Sequence, residues 1–397
     1  MECNFCKGSD LICCYEPKKS KINLSIQACK SCGLVQAKYD SDTYETINDS
    51  SYDESAQINK ISCDADYSEI RVGKQQMAQK PFSVLARHTS TSELNNVLDM
   101  RSARGDFALA ALSALDLSYI YCIEQDTYMS KDYKNDSRIK LHSGKYRNFN
   151  ADRQFDLVYS CHTLEHYRDP DSNLGFIANQ LKDGGYLYLD VPNLGSIAHG
   201  DHFDDFFYDK HLFYFTPSHL KVWVESKGFE IVECAEGASI EILARRTVSA
   251  KETIQGNDLN EFERAIRLIK NYSLNLAENR GKCETVSLEI ASWAKKYNKV
   301  AVYGCGRLLD TFIEYGGLSL DNFNWLIDNF LSKATQDLYG REVLAESGID
   351  GALPDAVLVM TRNMPDSFKS SLEKKFIGAD IKHHSYFLPD GQNAVAS

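Results

Sequence analysis

Four cysteines are the first residues in the chain whose type and spacing dictate a chemistry. Cys3-x-x-Cys6 and Cys29-x-x-Cys32 form two pairs with 22 residues between them, with Gly8 following one pair and Gly33 the other. A Cys-x-x-Cys turn puts two sulfurs on one side of an ion, and structural zinc takes four tetrahedral thiolate or imidazole ligands. Cys3, Cys6, Cys29 and Cys32 are therefore candidate zinc ligands of a ribbon-like module over residues 1–45. Cys13 and Cys14 lie between the pairs without ligand spacing and are expected to serve packing. A closed four-thiolate set leaves no coordination position for substrate, which argues against a zinc-dependent hydrolase.

The 397 residues can bury more than one core, and two or three domains are expected. A formal charge of −12 opposes general nucleic-acid binding, which needs a surplus of Lys and Arg, but leaves room for a local basic pocket for a nucleotide diphosphate. No apolar run approaches the roughly 18–20 residues of a membrane span, and Met1-Glu2-Cys3-Asn4 does not open a signal peptide. The cytoplasm is the expected compartment, where clustered cysteines bind metal rather than form disulfides.

Residues 46–95 are expected to hold a polar connection, whose run rich in Asp, Ser, Thr and Tyr spans 41–66, and a helix over Tyr67–Arg87. From Asn96 short apolar runs alternate with helical stretches, the βαβ pattern of a parallel sheet. The runs are Val97–Met100, Tyr119–Glu124, Ile139–Leu141, Phe155–Ser160, Tyr186–Val191, Glu230–Cys234 and Ser239–Leu243. Thr216 as N-cap, Pro217 at the first helical position and Gly228 as stop define a helix before the last two strands. Seven strands with the last two close together resemble the class I S-adenosylmethionine (SAM) methyltransferases, over residues 96–246. Charged amphipathic helices are expected over 247–298, with Phe262, Ile266 and Ile269 at helical spacing. A second Rossmann-like α/β domain, 299–397, opens with Val300–Gly306, with further strands at Trp325–Ile327 and Ala356–Met360.

In class I methyltransferases the first strand ends in an acid and an Asp-x-Gly-x-Gly-x-Gly turn beside the methionine part of SAM. Here Asp99 and Gly105 match, while Arg101 and Ala103 replace two glycines. An arginine at a tight turn brings both bulk and a penalty for positive φ. Two outcomes stay open: Arg101 turns outward or pairs with the SAM carboxylate, or it fills the pocket and the domain is a silent relic. Retained binding is the expectation taken. Glu124, ending the second strand about 20 residues on, is placed to accept ribose hydroxyls, and Gln125 and Ser160 complete the cofactor-binding candidates. The fourth strand and its loop, Phe155-Asp156-Leu157-Val158 and then Leu164-Glu165-His166 and Asp169-Pro170, are similar to the same families. There Leu-Glu-His commonly serves the strand-to-helix turn, the role expected for Glu165 and His166.

The whole chain resembles the sugar C-methyltransferases that act on nucleotide-linked keto-deoxysugars. The resemblance rests on the cysteine pairs followed by Gly33-Leu34-Val35-Gln36, on Pro192-Asn193-Leu194-Gly195, on Tyr208-Asp209-Lys210-His211-Leu212-Phe213-Tyr214-Phe215-Thr216, and on Gly237-Ala238-Ser239. Lys210 departs from it, standing where the family usually has Glu. What the resemblance implies is base-assisted methyl transfer from SAM to a keto-sugar carbon, or to oxygen or nitrogen. His211 is the implied base, since imidazole holds a lone pair near neutral pH. Tyr208 would hydrogen-bond the substrate, and Lys210 would stabilise enolate charge or face solvent. A histidine ordering the loop before the next helix is the competing reading of His211. In the C-terminal domain Gly304-Cys305-Gly306, with Asp328 ending the next strand, lacks a third glycine, so no redox role is assigned to it. A catalytically silent module that binds a sugar nucleotide or a partner protein is the alternative for the whole chain.

Overall fold

The computed structural model describes residues 2–44, 78–103, 105–125, 130, 133–199, 202–203, 205–247, 259–329, 331–334, 337–349, 353–361 and 364–388. Of the polar connection expected over 41–66 only residues 41–44 are described, and they are helical; the rest of it and the first half of the helix expected over Tyr67–Arg87 lie outside the described residues, and residues 78–85 are helical. The described residues form two units, one of residues 2–44, 78–199 and 207–272, the other of 202–206 and 273–388. No helix among the described residues is long and apolar enough to cross a membrane.

The first unit contains two sheets. Strands β1 (Leu11–Tyr15), β2 (Ser25–Cys29) and β3 (Val35–Lys38) form an antiparallel meander, and β3 also pairs with β9 (Phe213–Tyr214). The cysteine-bearing segment therefore shares a sheet with a strand from the second half of the unit. Its second turn needs glycine: Gly33 has φ +79°, and a Cβ there would stand 2.5 Å from the backbone carbon of Glu261.

The larger sheet holds β4 (Val97–Met100), β5 (Ile120–Glu124), β6 (Ile139–Ser143), β7 (Phe155–Cys161), β8 (Leu181–Pro192), β10 (Phe229–Glu236) and β11 (Ser239–Arg246), in the order β10-β11-β8-β7-β4-β5-β6. The first five are parallel, and β11 runs antiparallel between β8 and β10. Numbered along the chain, that is the 3-2-1-4-5-7-6 order of the class I methyltransferase fold. Every residue of β4 is buried, as expected for a central parallel strand covered on both faces. On one face Phe107, Ala108, Ala111 and Leu112 of helix α1 (Asp106–Ala114) pack into a cluster with Phe82 and Leu85, and the Phe107 ring stacks on Tyr159 at 3.6 Å.

The expected strands all form. β8 starts five residues before the expected Tyr186, because Lys182–Gly185 bulge out between the pairs Phe155–Leu181 and Leu157–Tyr186, with Gly184 at φ +79°. No apolar alternation marks such a bulge in sequence. Helices α2 (Pro170–Gln180) and α3 (Pro217–Ser226) both begin with proline after a capping side chain. Asp169 accepts the Ser172 amide and Thr216 the His219 amide.

The helices expected over 247–298 are one continuous helix, α4 (Leu259–Ala294), of 36 residues. It contains no proline, and its lone Gly281 leaves the hydrogen-bond ladder intact at a cost of about 1 kcal/mol. The second unit's sheet comprises β12 (Val300–Tyr303), β13 (Trp325–Ile327), β14 (Asp337–Leu338), β15 (Arg341–Leu344), β16 (Ala356–Val359) and β17 (Asp380–His383), in the order β14-β15-β13-β12-β16-β17. All but β14 are parallel.

Candidate active site and metal centre

The four cysteines converge. Cys3 Sγ lies 3.6 Å from Cys32 Sγ, Cys6 Sγ lies 3.6 Å from Cys29 Sγ, and all four sulfurs are within 4.8 Å of one another. Tetrahedral zinc with bonds of about 2.3 Å separates its sulfurs by about 3.8 Å, so the donor set fits zinc in spacing and chemistry. A hydrogen bond from the Cys32 thiol and amides of Cys6 and Phe5 pull Cys3 down to about 5. Burial pushes Cys29 up to about 11, and the bond to Cys3 holds Cys32 higher still. Four thiols this close do not all ionise without a cation among them. The module is tied to α3: His219 Nε2 donates to the Cys32 carbonyl at 2.7 Å, and the Phe5 ring packs edge-on against His219 and Trp223.

The cofactor candidates gather at the carboxyl ends of the central parallel strands, where ligands bind in such sheets. Met100 is paired with both Ile123 and Ser160, so the turn after β4 is flanked by Glu124 and by the end of β7. Arg101, Ala103 and Gly105 adopt φ +61°, +46° and +77°. The turn thus keeps glycine's left-handed geometry at two positions where glycine is absent, at about 1–2 kcal/mol each. Gly105 itself is required, since a Cβ there would lie 2.7 Å from the Tyr133 ring, whose hydroxyl is 2.6 Å from Ser102 Oγ.

Glu124 Oε2 accepts the Ala103 amide at 2.7 Å, and Gln125 follows it, half-buried. Burial, reinforced by the charges of Glu124 and Asp106, pushes the Asp99 carboxyl well above the usual carboxylate range. Asp99 Oδ2 and Ser160 Oγ are buried without a hydrogen-bond partner. Two orphaned polar atoms beside a turn held in glycine geometry fit the methionine and ribose ends of SAM.

The loop after β7 forms a 3-10 turn, Leu164–His166, and the chain from Tyr208 to His211 closes over it. The His211 amide donates to the Tyr208 carbonyl, while Tyr208 Oη lies 2.7 Å from His211 Nε2. Asp209 anchors this turn to the N-terminal module by accepting Ser20 Oγ at 2.6 Å and the Lys21 amide at 2.7 Å. Lys210 contributes its backbone carbonyl, 3.0 Å from His166 Nδ1.

Glu165 is wholly buried here, with His162 Nδ1, His166 Nε2 and His211 Nε2 standing 3.5, 3.7 and 3.8 Å from its Oε1. Burial raises the Glu165 pKa, but His162 and the charge of His211 outweigh it and hold the carboxyl below its ordinary value. Burial, then the charges of Arg101, His211 and Lys210, hold the His166 imidazole well below its ordinary pKa. The turn-forming role expected for Glu165 and His166 omitted this cluster. A carboxylate with no exposed surface beside three histidines is the signal, and burial is not legible in a Leu-Glu-His run.

In the second unit Asp328, also without exposed surface, accepts the amides of Cys305 at 3.1 Å and Leu331 at 2.9 Å. Its carboxylate ties the Gly304-Cys305-Gly306 turn to the segment that follows.

Residues 74–234 match a family model described as a methyltransferase domain. No curated protein matches the chain in sequence. Among solved structures, an S-adenosylmethionine-dependent methyltransferase from Clostridium acetobutylicum is 14% identical, with a TM-score of 0.37, over 46% of this chain and 96% of its own. One from Mesorhizobium loti is 15% identical, with a TM-score of 0.36, over 43% and 98%. Magnesium protoporphyrin IX methyltransferase from Synechocystis is 14% identical, with a TM-score of 0.38, over 51% and 100%. By its strand order and by the family model that residues 74–234 match, the chain carries a methyltransferase domain of the class I fold.

Proposed function

We propose that the chain transfers a methyl group from SAM to a nucleotide-activated keto-deoxysugar or a related glycan precursor, with His211 as the base. The observation that carries this reading is the contact of Tyr208 Oη with His211 Nε2, at the carboxyl side of the sheet, on a loop anchored to the cysteine module. SAM supplies an electrophilic methyl group on its sulfonium. His211 Nε2 takes the proton from the carbon beside the substrate carbonyl, and the electron pair released forms the new bond to methyl as the sulfur–methyl bond breaks. Tyr208 holds the imidazole and then the acceptor oxygen. The Lys210 ammonium offsets enolate charge.

Asp99, Arg101, Gly105, Glu124, Gln125 and Ser160 hold SAM in this proposal, and the four cysteines hold one zinc ion that fixes the module carrying Ser20 and Lys21. Zinc thiolates of this kind suit the reducing cytoplasm. The test is a panel of nucleotide sugars incubated with the protein and SAM, read by mass spectrometry. A gain of about 14 daltons, one CH₂, on a keto-sugar nucleotide is expected; no gain on any member would overturn the substrate class. The strained Arg101 and Ala103 favour a second reading, a silent module. Calorimetry that gives no heat with SAM at millimolar concentration would select it.

A further inference from the structure

We propose that Glu165, His166 and His211 form a binding site for a divalent first-row transition-metal ion, distinct from the cysteine site. Glu165 has no exposed surface, and its two carboxylate oxygens lack any hydrogen bond of normal geometry. Three imidazole nitrogens face it instead, His162 Nδ1 at 3.5 Å, His166 Nε2 at 3.7 Å and His211 Nε2 at 3.8 Å from Oε1, and of these the His166 and His211 nitrogens lie with Oε1 within 4.8 Å of one another. Those separations are too long for hydrogen bonds. They are close to what an ion imposes: bonds of about 2.1 Å separate ligand atoms by about 3.4 Å in a tetrahedron, and by about 3.0 or 4.2 Å in an octahedron.

The tautomer of His166 points the same way. Its Nδ1 lies 3.0 Å from the Lys210 carbonyl, which only accepts, so Nδ1 carries the hydrogen and Nε2 presents a lone pair toward Glu165. A ligating histidine is typically oriented in this manner, by a carbonyl on its other nitrogen. A lone pair and a carboxylate oxygen facing each other without a hydrogen between them repel, and a cation between them removes the repulsion.

The donor set of two imidazoles and one carboxylate suits Mn²⁺, Fe²⁺, Co²⁺ or Zn²⁺ rather than Mg²⁺ or Ca²⁺, which prefer all-oxygen shells. The His166 and His211 side chains keep 17% and 10% of their surface exposed, so the ion would retain open positions toward solvent or substrate. Tyr208 Oη, 2.7 Å from His211 Nε2, either serves as a fourth donor or swings aside. With the ion bound, His211 cannot accept a proton, so ion binding and general-base action at this residue exclude each other at any instant. The inference depends on the donor cluster alone and holds whether or not the acceptor is a sugar.

Full-length protein carrying one zinc per chain is titrated with Co²⁺ at neutral pH, with visible absorption and calorimetry as readouts. One further Co²⁺ per chain is expected, with weak d–d bands and no thiolate-to-cobalt charge-transfer band. Glu165→Gln and His166→Asn should each weaken it by about 100-fold or more while the zinc content stays at one. If Glu165→Gln does not fold, His166→Asn and His211→Asn carry the comparison. Three results overturn the proposal: no second ion in the wild type, a charge-transfer band showing cobalt at the cysteines only, or variants that bind as tightly as the wild type. The readout needs neither SAM nor acceptor, so failure of the methyl-transfer reading leaves it intact.

Discussion

Glu124 Oε2 and the Ala103 amide are joined by a 2.7 Å hydrogen bond, so the acid at the end of β5 holds the very turn that lacks two of its glycines. Support of the turn falls to the same carboxylate that the proposed cofactor site assigns to the ribose.

Glu124→Ala leaves the partly buried Ala103 amide unpaired, which costs about 1–3 kcal/mol. Urea unfolding should show that loss, and calorimetry should show SAM affinity reduced by at least about tenfold. An unchanged affinity would separate Glu124 from the donor site.

Arg101→Gly and Ala103→Gly place glycine where φ is already positive. Relief of about 1–2 kcal/mol of left-handed strain is set against about 0.5–1 kcal/mol of extra backbone entropy in the unfolded chain. Each variant should be stabilised by up to about 1.5 kcal/mol in chemical denaturation, and SAM should bind Arg101→Gly more weakly than the wild type, since the variant loses a side chain assigned to the cofactor.

Asp99 provides a pH test. In the unfolded chain it ionises near 3.8, whereas in the folded chain burial keeps it protonated to well above that value. The folded state therefore holds the extra proton, and the associated stability, full at low pH, declines as pH rises past the unfolded value, by at most about 1.4 kcal/mol per unit. Asp99→Asn removes this slope. The difference in Tm between variant and wild type should move in the variant's favour from about pH 5 to pH 8, and a constant difference would refute the protonated state.

His211→Asn should reduce turnover by about 10²–10⁴-fold, the usual contribution of a general base, while SAM affinity stays within about twofold. Turnover at the wild-type rate would remove His211 as base.

Structural zinc contributes about 10–16 kcal/mol to small modules. Metal analysis should find one zinc per chain lost in Cys6→Ser, with a lower Tm and exposure of the amides of β3 and β9 to hydrogen exchange, because β3 pairs with β9.

Much of the architecture was legible along the chain. Val97–Met100 and Trp325–Ile327 coincide with β4 and β13, and the Thr216-Pro217 start and Gly228 stop bracket α3, because apolar runs, caps and left-handed glycines act within a few residues. The bulge at Lys182–Gly185 and the continuity of α4 were not legible, since one depends on the pairing of β8 with β7 and the other on the absence of any strong breaker.

The order of residues by itself determined the cysteine pairs, the alternation of strands and helices, and the acids Asp99 in β4 and Glu124 at the end of β5, all of which are properties of neighbours in the chain. Only the tertiary structure decided that Glu165 and His166 meet His211, 46 and 45 positions away, and that Arg101 and Ala103 take glycine's conformation. The reason is that sheet order and register choose which loops converge at the strand ends. Packing then compels side chains and backbone there into environments that no local preference encodes.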